Sequence, residues 1–162
     1  RLSDNTRVDF GATYTNARYG DYFPRGGGTP NPNFKGLKLD RAPEFVLSGS
    51  ITQSFSLGNG GTIRGNVGTK WTDRYFLADF ANAHQFRQPS FFKSDASLIY
   101  SARDDRFYVQ AFVKNIEDYV ENTVVIPGGG FAALPGVGTI YSEGSAGFGA
   151  PRTYGVRFGT KF

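Results

Sequence analysis

"PRTYGVRFGTKF", residues 151–162, is the stretch on which the reading of the fold turns. Stepping back by twos from Phe162 gives Thr160, Phe158, Val156 and Tyr154, while Lys161, Gly159, Arg157, Gly155 and Thr153 fill the positions between. Side chains of a strand point alternately to its two faces, so this spacing writes one apolar, aromatic face and one that is charged or very small. Sustained 3.6-residue periodicity is absent here and elsewhere, and the fold class is all-β.

Five earlier segments repeat the pattern. Val8, Phe10, Ala12 and Tyr14 alternate with Arg7, Asp9, Gly11 and Thr13. Phe45, Leu47, Gly49, Ile51, Phe55 and Leu57 alternate with Val46 and a run of Ser and Thr, and Gln53 interrupts the apolar side. Ile63, Val67, Thr69 and Trp71 oppose Arg64, Asn66, Gly68 and Lys70. Ala96, Leu98 and Tyr100 oppose Asp95, Ser97 and Ser101. Phe107, Val109, Ala111 and Val113 oppose Gln110 and Lys114, and Phe112 interrupts the polar side. Each segment is near the length of about 9–11 residues that a tilted membrane strand needs.

The connections alternate in length. Gly58–Gly61 ("GNGG") and Arg103–Asp105 ("RDD") are tight hairpin turns, whereas residues 20–42, 76–92 and 118–150 are long. Short turns at one end and long loops at the other are the pattern of an up-and-down antiparallel membrane barrel. A soluble sandwich also alternates, but fills its apolar face with Leu, Ile and Val against a second sheet. Here Tyr14, Tyr19, Tyr22 and Phe23 gather towards one end and Phe55, Phe107 and Phe162 towards the other, as two interfacial aromatic girdles do.

Composition narrows the classes. The 162 residues hold 22 Gly and 16% aromatics, with no Cys and no Met. Disulfides, thiolate metal sites and Cys nucleophiles are excluded. No apolar run exceeds four residues, as in Phe131–Leu134, far short of the ~20 residues of a membrane helix. A net charge of +4 with Lys and Arg scattered along the chain gives no basic run for nucleic acid. Without Met, and without a charged-then-apolar leader, the chain is expected to be a portion of something longer.

Four segments carry a resemblance: "APEFVLSGSITQSF" (42–55), "DASLIYS" (95–101), "FVKNIEDYV" (112–120) and "GAPRTYGVRFGTKF" (149–162). In this order and spacing they resemble the C-terminal part of TonB-dependent outer-membrane receptors. The resemblance implies about six C-terminal strands, across residues 1–162, of a 22-stranded barrel with a plugged lumen. It also implies that the plug and the TonB-binding box belong to an earlier part, and that the six strands need the rest of the barrel to satisfy their edges. Tyr154, Val156, Phe158 and the terminal Phe162 resemble the signal read by the barrel assembly machinery. A Gram-negative outer membrane, contact with its lipid and lipopolysaccharide, and energy-coupled import of a scarce nutrient such as a ferric siderophore follow as expectations. A passive porin and a soluble carbohydrate-binding or adhesion sheet remain as alternatives.

No catalytic, metal or cofactor constellation is expected. His84 stands alone, Asp104 and Asp105 suit a turn, and neither "GNGG" nor "GGG" (128–130) precedes a helix. Parity assigns Arg7, Arg64, Lys70, Lys93, Lys114, Arg157 and Lys161 to the lumen face, against Asp9, Glu44 and Asp95. Such a wall favours anionic cargo or pairs with plug carboxylates. In the receptor orientation the 118–150 connection lies outside the cell. Phe131, Tyr141, Glu143 and Phe148 are its candidate ligand contacts, and Gly128, Gly129 and Gly130 its hinges.

Overall fold

The alternation is realised as six long strands of one antiparallel sheet in a computed structural model that describes residues 5–23, 33–77, 87–134 and 138–160. In chain order the strands are β1 (Thr6–Tyr14), β2 (Phe45–Ser56), β3 (Thr62–Thr72), β4 (Tyr75–Phe76), β5 (Arg87–Gln88), β6 (Phe91–Ser101), β7 (Phe107–Lys114), β8 (Asn122–Leu134), β9 (Gly138–Phe148) and β10 (Thr153–Thr160). The main sheet runs β1-β2-β3-β6-β7-β10, while β4-β5 and β8-β9 are separate two-stranded ribbons. The main sheet is open: β1 and β10 are its edges and do not pair with each other.

Register turns six local dyads into two continuous faces. Val8 lies opposite Ile51, Ile51 opposite Val67, Val67 opposite Ala96, Ala96 opposite Val113, and Val113 opposite Tyr154. A parallel row runs Phe55, Ile63, Tyr100, Val109, Phe158. Every step keeps apolar residues on the same side, because a slip of one residue would send a whole strand's set to the other face. Gln53, the interruption, accepts a 2.6 Å hydrogen bond from the Thr6 hydroxyl, so the polar break is satisfied within the face.

That apolar face is uncovered. Phe10 is 75% exposed, Val156 72% and Tyr154 82%. Among the described residues only Phe34, Leu77 and Phe91 are buried hydrophobics. A soluble sandwich would bury these rings against a second sheet. At its centre Gly65, Ala96 and Ala111 lower the surface into an apolar trough of about 580 Å³ between Ile51, Val67 and Leu98.

Both predicted tight turns form. Leu57 and Gly61 close the β2–β3 turn with Gly60 at φ +81°, where L side chains are strained. Asp104 and Asp105 both take left-handed φ near +55° in the β6–β7 turn, the geometry that Asp tolerates best after Gly and Asn. Tyr14 packs on Phe45 at 4.9 Å between ring centroids at one end, and Phe107 stands 6.0–6.1 Å from Tyr100 and Phe158 at the other. Tyr19 and Tyr22 stack at 5.3 Å and meet buried Phe34 edge-on, forming a small aromatic cluster in the loop.

The largest departure lies in residues 118–150, read from sequence as a loop with glycine hinges. They form a long hairpin of β8 and β9, in which Gly128 pairs with Glu143 and Phe131 with Tyr141, with a bulge between Gly128 and Phe131. Paired backbone replaces the hinge. Short strands β4 and β5 likewise interrupt the 76–92 connection.

Candidate functional site

The polar face of the sheet is the first place to look for chemistry. Arg64, Lys70, Lys114 and Arg157 all fall on it, as parity requires, but as a wall and not as a cluster. Lys70 stands directly opposite Lys93, an arrangement that repels. Glu121, just before β8, relieves it by binding Lys93 at 2.7 Å with both side chains three-quarters buried or more. Arg7 is held by Asp9 at 2.8–3.0 Å on the same strand. Arg64 donates to the Ser54 hydroxyl at 3.4 Å and borders a polar hollow of about 580 Å³ with Ser50, Thr52 and Asn66. Arg157 lies over the Phe112 ring, 4.9 Å from its centroid.

Phe112, which interrupts the polar side in sequence, therefore has a task. Its ring covers Gly155 across the ladder, and Tyr108 covers Gly159 in the same way. The tiny residues of β10 are the floor on which β7 lays its aromatics.

The "FVKNIEDYV" segment is a clamp at the base of the long hairpin. Asn115 is 5% exposed and sits at φ +54°, a conformation Asn tolerates well. Its side chain donates to the Tyr119 and Ala150 carbonyls at 3.0 and 3.1 Å and accepts from the Tyr119 amide at 3.0 Å. Asp95, placed on the polar wall by parity, accepts the Asn115 amide at 2.9 Å instead of pairing with a cation. Asp118 accepts the Arg152 amide at 2.8 Å, and this bond first, with the Arg152 guanidinium second, holds its carboxyl below the ordinary range. Glu117 accepts from the Ser94 hydroxyl and amide, which lowers it likewise. Gln88, 1% exposed, donates to Tyr119 Oη at 2.8 Å and accepts the Asn122 amide at 3.0 Å. Asn115, Asp118 and Gln88 were not singled out as functional in the sequence; an Asn followed three residues later by Asp after a strand is the signal that was present.

Of the candidate loop contacts, Phe148 is 66% exposed at the hairpin base. Phe131, Tyr141 and Glu143 lie further along β8 and β9, and their side chains are outside the described residues. Tyr154, Val156 and Phe158 share the apolar face of β10, whereas Phe162, Lys161 and His84 lie outside the described residues. Among the described residues no group of His, Cys, Asp and Glu could hold a metal ion, and no helix is long and apolar enough to cross a membrane.

These features define an all-β protein built on an open, two-faced antiparallel sheet. No family model, curated protein or solved structure matches the chain, so the class stands on the geometry alone.

Proposed function

We propose that this chain is the C-terminal portion of the barrel of a TonB-dependent receptor in a Gram-negative outer membrane, where it lines a route for a scarce nutrient. The observation that supports it is the apolar face: six strands wide, aromatic at both ends and uncovered. Exposed apolar surface on this scale marks a membrane or protein interaction site, and hydrocarbon tails suit a trough floored by Gly65, Ala96 and Ala111. The opposite face, rich in Ser, Thr, Asn and basic residues, suits a wetted lumen. Unpaired edges at β1 and β10 are incompatible with hydrocarbon unless further strands cover them, which is the part assigned here to the rest of the barrel. The receptor family itself, with its plug, its TonB coupling and its recognition by the assembly machinery, is carried by the four sequence segments.

Trp71 supplies the test, being the chain's one tryptophan and in register with Leu47 and Phe92 on the apolar face. In the full-length protein in vesicles, brominated acyl chains should quench the fluorescence that disappears in Trp71→Phe. Quenching by aqueous iodide but not by brominated lipid would overturn the membrane reading. Loss of nutrient uptake on deletion of TonB separates the receptor from a passive porin.

A further inference from the structure

A cavity of about 330 Å³ lies at the long-loop end of β2 and β3, and its chemistry is not that of the polar wall. One side is the bridge between Arg18 and Lys38; the other is the β4–β5 ribbon, in which Phe76 pairs with Arg87. The Arg41 amide donates to the Phe76 carbonyl at 2.8 Å and ties the two sides together. Among the described residues four cations, Arg18, Lys38, Arg74 and Arg87, line the space against one carboxylate, Glu44. Glu44 is already engaged, by Lys38 at 3.0 Å and Arg18 at 3.9 Å. Arg18 is further fixed by donating to the Gly36 carbonyl at 2.9 Å and to Asn16 at 3.0 Å. The nearby Asp73 carboxylate is turned back to the Arg74 amide at 2.8 Å, leaving the guanidinium aside. Among the described residues neither Arg74 nor Arg87 has a carboxylate within ion-pair distance.

We propose that this cavity binds a small organic anion carrying carboxylate or phosphate groups on an apolar body. Guanidinium forks with no carboxylate partner among the described residues match planar or tetrahedral oxyanions with paired hydrogen bonds. The two walls that carry them are tied by the Arg41–Phe76 backbone bond, which keeps both arginines on one cavity. Leu37, Leu39 and Ala42 give the space an apolar side for the remainder of the ligand. Half-buried Tyr75 lines it too; burial first, and Glu121 second, hold its phenol above the ordinary range, so it stays a hydrogen-bond donor. The volume is at the small end for ligand pockets, which favours a compact acid over a chelate or a peptide. The assignment deepens the receptor reading by giving a chemical class to what is recognised, and rests on that reading only for the side from which the anion arrives.

Calorimetric titration of the full-length protein in detergent micelles at low ionic strength tests it, with citrate, benzoate and inorganic phosphate as probes. Citrate and benzoate should each bind saturably and more tightly than phosphate, and Arg74→Gln with Arg87→Gln should weaken binding of both at least tenfold. Arg103→Gln, at the opposite end of the sheet, should leave it unchanged. If the double variant fails to assemble, Arg87→Lys is read in its place and should still weaken citrate severalfold, because the charge stays and the fork is lost. No saturable binding of any probe, equal affinity in the parent and the Arg74/Arg87 variants, or binding only to micelles doped with phosphatidylglycerol overturns the proposal. Heat-dependent electrophoretic migration of the same samples keeps the two readings apart. A protein that binds citrate but lacks a heat-resistant barrel retains the anion site and loses the membrane assignment.

Discussion

The ring of Phe112 lies so close over Gly155 that a Cβ at the glycine would stand 2.9 Å from the ring's Cζ. The same relation binds Tyr108 to Gly159, where the separation would be smaller still. β7 and β10 are thereby joined by aromatic-on-glycine contacts, and between them Arg157 rests its guanidinium on Phe112. The two strands interlock on the polar face as well as pairing through their backbones.

Adding a side chain beneath either ring should be costly. Gly155→Val is expected to destabilise the protein by about 1–3 kcal/mol through overpacking. Gly20→Ala, whose Cβ would meet nothing within 4 Å, should stay within about 0.5 kcal/mol. Reversible unfolding from lipid vesicles measures both, and similar losses at the two sites would contradict the contact.

Adjacent residues of β10 should respond oppositely to charge. Val156→Arg places a cation on the apolar face and should cost about 2–4 kcal/mol if near the bilayer midplane. Arg157→Val removes only its stacking on Phe112, worth about 0.5–1 kcal/mol at an exposed site. Equal losses in the same vesicle assay would mean that the faces are assigned the wrong way round.

Asn115 should prove the most sensitive position outside the strands. Asn115→Ala strands the Tyr119 amide and two carbonyls and puts Ala at φ +54°, for an expected loss of about 2–4 kcal/mol. Asn115→Gly removes the backbone strain alone and should recover a minor share. Protease cleavage within residues 118–150 of the full-length protein reads the loosening, which should be greater in the alanine variant.

Acid should open the same clamp. The Asp118 and Glu117 carboxyls titrate lower when folded than when unfolded, so their contribution is complete above the ordinary carboxylate range and disappears as pH falls through the folded values. Amide exchange at Arg152, corrected for its intrinsic pH dependence, should therefore accelerate below that range. Asp118→Asn should lower protection at neutral pH and flatten the profile. A profile as steep as the parent's would remove Asp118 from the clamp.

Replacing residues 124–146 with a short Gly-Ser turn should leave the main sheet assembled, because the Gly149–Glu121 and Ala150–Asn115 bonds lie outside the excised part. On the receptor reading proposed above, surface binding of the native cargo should weaken at matched abundance. Unchanged equilibrium binding would move recognition to the loops at 20–42 and 76–92.

The strands were legible because facing is a local property: Val8, Phe10, Ala12 and Tyr14 declare a side without reference to any partner. The β8–β9 hairpin was not, since Pro127 and three consecutive glycines argue against a strand until the pairing register is known. The clamp was hidden for a related reason, because Asn115 and Gln88 take partners about 30 residues away. Closure of the sheet is likewise no property of a dyad. Period two states which way Phe158 points, and nothing about what lies beside β10.

Glu121 belongs to the chain just before β8, yet its charge is spent on Lys93 at the start of β6. Were the hairpin's root to shift by a few ångströms, Lys93 would lose Glu121 while still facing Lys70. The potential of the polar face is thus partly on loan from the β8–β9 hairpin: whatever moves the hairpin's root also sets how positive that face is.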